Sequence, residues 1–449
     1  MATAELQDLV ARVAGWAREG EQIEAYASRT HETEVRARDG DLESLASAEY
    51  EGIGVRVVKD GRQGFAYAGS LDDRALEETL AEARDNVEFG SVDEWYGLAE
   101  PDGVEPPKLD LFRDDLAAFP TADKVEMALE IERATRAADA RIRTIDTAEY
   151  SDAAIESAVA SSTGIRASSR RTVCSVVADA IAGDDSDTQT GYGYSVARSP
   201  RELDVAKAAA DAADRATRLL GAKKPASQRV TVLLEPRVTA SFLGVLSSAL
   251  SGEAVIKGRS FFEGRIGEDV AVPTLTLVDD PTIADAFGAT TYDSEGLATR
   301  RNPLINGGRL ERFLQNAYTG RRSGTGSTGS AVRGGFKGTP GVGARSLMLT
   351  PGERDADALL ADVERGLLVQ SVQGLHSGTN PVSGDFSVGV EGLMVRDGAV
   401  AEPVREATMA STLQRMLLDV VAVGSDLEWL PGAAAGVTLV ISDVTLSGT

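Results

Sequence analysis

The chain has 449 residues, 42% hydrophobic and 26% charged, proportions that exclude a wholly disordered protein. Asp and Glu total 70 against 46 Lys and Arg, and the resulting net charge of −24 repels phosphate backbones and anionic lipid surfaces, so direct nucleic-acid or membrane binding is not expected. At roughly 150 residues per domain the length predicts two or three folding units.

Residues 4–19 open the chain as a helix with Leu6, Leu9, Val10, Val13 and Trp16 on one face. Its acidic residues set it apart from a secretory leader. With a single cysteine, Cys174, and no apolar run of membrane-spanning length, a cytoplasmic location is expected. Strand-forming runs follow at residues 22–27 and in "TEVRARDG", "LESLASAEYEG" and "GIGVRVVKDGRQGFAYAG". In the last, Asp60-Gly61 predicts a hairpin, because both central residues of such a turn need positive φ. The helix "DDRALEETLAEARDNVEF" closes a first helix–antiparallel sheet–helix domain, residues 1–98. A stiff linker with Pro101, Pro106 and Pro107 leads to a second unit, residues 108–222. That unit reads as a helix at 122–138, three or four antiparallel strands around Ser162-Thr163-Gly164 and Gly183-Asp184 turns, and a helix ending at Gly221, a layout that echoes the first.

The third unit, residues 228–449, begins with the strand "RVTVLLEP" and a helix through "ASFLGVLSSALSGEAV". Pro236 suits the first turn of that helix, Val238, Phe242, Val245 and Ala249 form its apolar stripe, and Gly252 is its expected end. Many short β-like runs separated by glycine come next, with hairpins at Gly307-Gly308 and Asp397-Gly398 and helices in "RDADALLADVERG" and "STLQRMLLDVVAVG". The expected fold class is α+β: an N-terminal helix and antiparallel-sheet domain, a similar middle unit, and a large β-rich C-terminal domain.

Local motifs for chemistry fail one by one. "GTGSTG" matches GxGxxG at Gly324, Gly326 and Gly329, but lacks the preceding strand and following helix that make a dinucleotide fingerprint. Phosphate-loop and nucleophile-elbow patterns do not occur. In "DDSDTQTG", counted from Asp185, Thr190 stands where a calcium loop needs glycine and Val196 where it needs a bidentate glutamate. The two histidines, His31 and His376, lie far apart in sequence, and Cys174 reads as a small strand residue. Between Glu311 and Glu353 there is no acidic residue, while Arg312, Arg321, Arg322, Arg333, Lys337 and Arg345 fall in a Gly-rich run. This predicts either a mobile surface loop or a basic patch suited to a peptide carboxylate or an acidic partner.

Three long phrases, "GRSFFEGRIGEDVA", "YDSEGLATRRNPLINGGRLERFLQNAYTGRRSG" and "GLLVQSVQGLHSGTNPVSGDFSVGVEGLMVRDGAVAEPVREATMASTLQRMLLDVVAVGSDLEW", resemble the TldD/PmbA family in its PmbA branch, also called TldE. The resemblance implies a cytoplasmic two-protein metallopeptidase. In it a TldD-type subunit binds zinc through an HExxxH segment and a late cysteine, and a PmbA/TldE-type subunit pairs with it. With the register set by "KGRSFFEGRIGE", the two histidines would fall at Leu243 and Ser248 and the general-base glutamate at Gly244, while "LPGAAAGVTLV" contains no cysteine. The resemblance thus implies a chain with no catalytic and no metal-binding residues of its own.

The expected function is a silent subunit of a heteromeric metallopeptidase that degrades or processes unfolded or leader-bearing peptides. It would bind no cofactor alone, with zinc in the TldD-type partner. Contacts with peptide or partner are expected at Arg321, Arg322, Arg333, Lys337, Asp385 and Phe386, through strand addition at a sheet edge. One rival is a stand-alone homodimer that holds peptides without cleaving them. Another is a hydrolase using Asp293, Glu295, Asp385 and Glu391 as paired carboxylates, although turn capping and pairing with Arg300, Arg301 or Arg405 is the simpler role for those acids. The family's association with DNA gyrase would, at this net charge, be indirect.

Overall fold

The computed structural model describes residues 2–449. One antiparallel sheet of six strands, ordered β3-β2-β1-β4-β5-β6, organises the first half of the molecule. β1 (Gln22–Arg38), β2 (Asp41–Lys59) and β3 (Arg62–Ala68) come from the first unit; β4 (Ile142–Ser161), β5 (Arg166–Asp184) and β6 (Asp187–Ala197) come from the second. The two expected meanders are therefore one sheet, joined where β1 pairs with β4 from Glu24 opposite Ser161 to Arg36 opposite Glu149. "TEVRARDG" is not a separate strand but the continuation of β1. The hairpin at Asp60 (φ 50°) and Gly61 (φ 69°) is present as expected. The β5–β6 connection falls at Asp185 and Ser186, two residues beyond the expected Gly183-Asp184.

Helices cover one face of this sheet. α1 (Ala2–Ala14) and α2 (Asp73–Phe89) close over Ile23, Ala25, Ile53 and Val55 through Leu6, Val10, Leu76 and Leu80. The short α3 (Asp114–Ala117), α4 (Thr121–Ala138) and α5 (Val205–Thr217) cover the other half, where Ala128, Ile131 and the alanines of α5 meet Tyr150 and Val176. Cross-strand partners share a face, so Ala25 beside Ala160 and Val35 beside Tyr150 place both helical layers on the same side. α5 lies unusually close to β6, because a Cβ at Gly193 would stand 2.0 Å from the Ala208 carbonyl oxygen and one at Gly191 2.2 Å from the Ala216 nitrogen. Period-two alternation then turns Tyr192 and Tyr194 to the opposite, helix-free face.

The third unit sits on that face, where Val159, Ile165 and Ala167 pack against Leu297 and Ala317. It contains a second sheet of six strands in the order Ala399–Thr412, Asp385–Arg396, Arg365–Gln373, β7 (Gln228–Leu234), Leu439–Ser447, Val420–Val423. Pairing of Thr408 with Ser447 and of Ala410 with Thr445 rolls this sheet closed, and β7 with Arg365–Gln373 is its parallel pair. α6 (Pro236–Ala249) buries Val238, Thr239, Phe242, Leu243, Leu246 and Ala249 against it. Gly252 does not end α6; it opens a separate helix, Gly252–Ile256, capped by the Ser251 side chain. Only Ala356–Ala361 of "RDADALLADVERG" is helical. The hairpins at Gly307-Gly308 and Asp397-Gly398 form, all four residues having positive φ. Among the described residues no helix is long and apolar enough to cross a membrane.

Candidate functional site

The exposed side of α6 faces a cleft between the two sheets. Ala240, Ser241, Gly244 and Ser247 form its floor, Tyr192 and Tyr194 one wall, and the loop Leu430, Pro431, Ala433 and Ala434 the other, around a volume of about 390 Å³. Arg237, in the first turn of α6, stacks over the Tyr192 ring at 4.3 Å and stands 5.6 Å from that of Tyr194. Such a contact holds the guanidinium in place without consuming its hydrogen-bond donors. Pushed up by burial, both phenol pKa values lie above their ordinary value, so the hydroxyls stay neutral. The helix-free face of the first sheet extends the cleft: a groove of about 450 Å³ shares Tyr192, Tyr194 and Pro431 and runs along Glu32, Ala46, Ser151 and Val173. A third hollow shares Tyr192, Arg237 and Ser241 and contains Asp179, whose pKa is raised by burial and by Asp146. Side chains of this kind can bind and orient an extended polypeptide.

Profiles of the PmbA/TldA metallopeptidase match the chain in three successive parts: domain 1 over residues 23–87, the central domain over 114–220 and the C-terminal domain over 227–448. The chain belongs to the PmbA/TldD family. It is 27% identical over 428 residues to the metalloprotease PmbA of Escherichia coli O157:H7, covering 95% of this chain and 92% of that one. A solved structure from Bacteroides thetaiotaomicron, named for a candidate modulator of DNA gyrase, superposes with a TM-score of 0.88 at 27% identity over the whole of both chains. TldE from Thermococcus kodakarensis has the same fold, with a TM-score of 0.90 at 22% identity over 98% of this chain and 99% of that one.

Membership of a metallopeptidase family implies a metal, and the donor set of this cleft does not fit one. Leu243 is fully buried in the core beneath α6, whereas Gly244 and Ser248 are exposed. Ser248 donates its hydroxyl to the Val245 carbonyl at 2.8 Å, and Ser241 donates to that of Arg237 at 3.0 Å, so both are held by the helix itself. The opposing loop offers proline and alanine. Among the described residues, no group of three or more His, Cys, Asp or Glu side chains stands where it could hold an ion. His31 is exposed on β1 and His376 on the helical turn Leu375–Gly378.

The Gly-rich basic segment is ordered as a clamp between the units. A capping box at Asn316 starts the helix Ala317–Ser323 and Gly324 (φ 71°) ends it. Arg321 donates to the Trp95 and Leu98 carbonyls at 3.1 and 3.0 Å and also to that of Gly97. Arg322 is exposed and donates to the Tyr318 hydroxyl. Arg333, its side chain 2% exposed, pairs with Glu24 at 2.6 Å and lies over the Tyr26 ring. Lys337 is exposed beside Phe336. Phe386 is a core residue, edge-on to Phe242 of α6 at 6.1 Å, so it presents nothing to a peptide; Asp385 is exposed and accepts from Ser383 at 2.6 Å.

The four acids of the hydrolase reading do not form one cluster. Glu295 binds Arg56 and the Ala317 N–H, Asp293 accepts backbone N–H groups, and Glu391 accepts from Ser371. Their expected arginines are engaged elsewhere: Arg300 with Asp102, Arg301 with Asp280, and Arg405 with Asp187. Sequence reasoning missed Arg237, Tyr192 and Tyr194. The signal for the tyrosines was the "GYGY" alternation itself, small residues on one face and aromatic ones on the other.

Proposed function

We propose that this chain is the non-catalytic PmbA/TldE-type subunit of a heteromeric metallopeptidase that processes unfolded or leader-bearing peptides, with a TldD-type partner supplying zinc and the water-activating base. The observation that carries this reading is the cleft over α6. It keeps the surfaces that would hold a peptide, but it has a core leucine at 243, glycine at 244, serine at 248 and proline and alanine in the facing loop. Tyr192, Tyr194 and Arg237 would bind peptide at the margin of a cavity completed by the partner, using stacking on amide planes and a guanidinium for carbonyl or carboxylate oxygens.

Elemental analysis of the purified chain tests the reading together with peptidase assays on the chain alone and after co-expression with an HExxxH-bearing family member. The expected result is no stoichiometric metal and no hydrolysis alone, with copurification and activity in the pair. One tightly held ion per isolated chain would overturn the proposal.

A further inference from the structure

A second, smaller cavity lies apart from the cleft, between the helix-free face of the first sheet and the third unit. Its volume of about 110 Å³ accommodates several waters or one small organic molecule. Val159 and Ala167 give its floor an apolar part beside the Ser157 and Ser169 hydroxyls, and three arginines line it: Arg171 of β5, with Arg333 and Arg345 of the third unit. Arg333 has Glu24 as its counter-ion at 2.6 Å. Arg345 hydrogen-bonds neutral groups, the Ser294 hydroxyl at 2.9 Å and the Ala331 carbonyl at 3.0 Å, while its Nε is buried without an acceptor. Asp293 also lines the cavity, yet its carboxylate is turned to the backbone, accepting from the N–H groups of Glu295 at 2.9 Å, Leu297 at 3.0 Å and Ala331 at 3.1 Å.

Holding the Arg345 guanidinium out of water with no carboxylate hydrogen-bonded to it is costly, and the half-buried Arg171 lining the same space adds like charge. Burial lowers the pKa of Arg345; the nearby charge of Asp293 opposes that shift and the like charge of Arg171 adds to it, so Arg171 and Arg345 share one electrostatic environment. An anion placed between them would relieve that repulsion. The planar fork of a guanidinium matches a carboxylate in bidentate geometry, and Val159 and Ala167 accept a short aliphatic tail.

We propose that this cavity is a binding site for a small organic carboxylate, no larger than an amino acid, held by Arg171 and Arg345. The assignment does not depend on the partnership with a TldD-type subunit. It is tested on the full chain by thermal melts and titration calorimetry with acetate and succinate, against inorganic phosphate and sodium chloride at matched ionic strength. A saturable rise in melting temperature with a carboxylate is expected. Affinity should fall at least tenfold in Arg171→Gln and stay unchanged in Arg170→Gln, whose side chain stacks on Phe112. If Arg171→Gln melts early by itself, Arg171→Lys, which keeps the charge without the planar fork, must still weaken binding. Equal responses in wild type and the Arg171 variants, a response to phosphate alone, or no response beyond that to chloride overturns the assignment.

Discussion

Replacing Glu24 by glutamine keeps the shape of the side chain and removes one charge from the junction between the first sheet and the third unit. Glu24 is 2% exposed and accepts from Arg56 and from Arg333, each at 2.6 Å; Arg56 also reaches Glu295 at 3.2 Å. Two acids and two bases balance in the wild type. After the substitution one positive charge is uncompensated and out of water. Unit charges about 4 Å apart attract by about 4 kcal/mol at an effective dielectric constant near 20, so two contacts set an upper bound of about 8 kcal/mol. Arg56 would retain Glu295, and Arg333 would retain the Ser294 carbonyl at 2.8 Å and the Tyr26 ring at 4.4 Å. The loss should therefore fall in the range of about 3–5 kcal/mol found when one partner of a buried pair is removed.

Burial pushes the Glu24 pKa up, but the two guanidiniums outweigh it and the net shift is downward from 4.5. This stabilisation is present above the ordinary carboxylate pKa and is lost as pH falls through the lower folded value. Urea unfolding near neutral pH, followed by tryptophan fluorescence and circular dichroism, measures the effect. Arg74→Ala, which removes an exposed pair on α2, serves as a control expected to be indistinguishable from wild type. A loss in Glu24→Gln below about 1 kcal/mol, the range of a solvent-exposed pair, would refute the reasoning.

Burial and the neighbouring Glu295 raise Asp293 from 3.8 to about 7, so between those values the folded chain binds more protons than the unfolded one. Its contribution to stability is full below the lower value and lost as pH rises through the upper; Asp293→Asn should gain on wild type over that window, and a pH-independent difference in their melts would count against it. Leu243→His puts an imidazole into the core under α6 and should cost about 2–5 kcal/mol, whereas Ser248→His on the exposed face should stay within about 0.5 kcal/mol, both read from urea midpoints. Gly193→Ala drives a methyl to 2.0 Å from the Ala208 carbonyl oxygen and should destabilise by about 1–3 kcal/mol as α5 is pushed off β6. Gly244→Ala meets nothing within 4 Å in the exposed helix interior and should stabilise by about 0.5–1 kcal/mol; a loss there would mean that the cleft floor is occupied.

Much of this protein was legible in local pattern. The α+β class followed from period-two and helical runs. Asp60-Gly61, Gly307-Gly308 and Asp397-Gly398 form hairpins because positive φ is a property of those residues and needs no distant partner. That positions 243, 244 and 248 carry leucine, glycine and serine is likewise a matter of residue identity. Tertiary structure alone decided whatever depends on which residues meet. Joining two meanders into one sheet requires β1 to pair with a strand more than a hundred residues later. Arg333 of the basic segment is neutralised by Glu24, 309 residues earlier, so its local charge gave no guide to its field. Val245 and Leu243 looked alike as apolar helix positions, yet Leu243 is fully buried and Val245 only partly so, because burial depends on what packs against the helix. The cleft of Arg237, Tyr192 and Tyr194 exists for the same reason: sequence alternation sets each tyrosine's face, but only the packing of the third unit on the helix-free side brings them under α6.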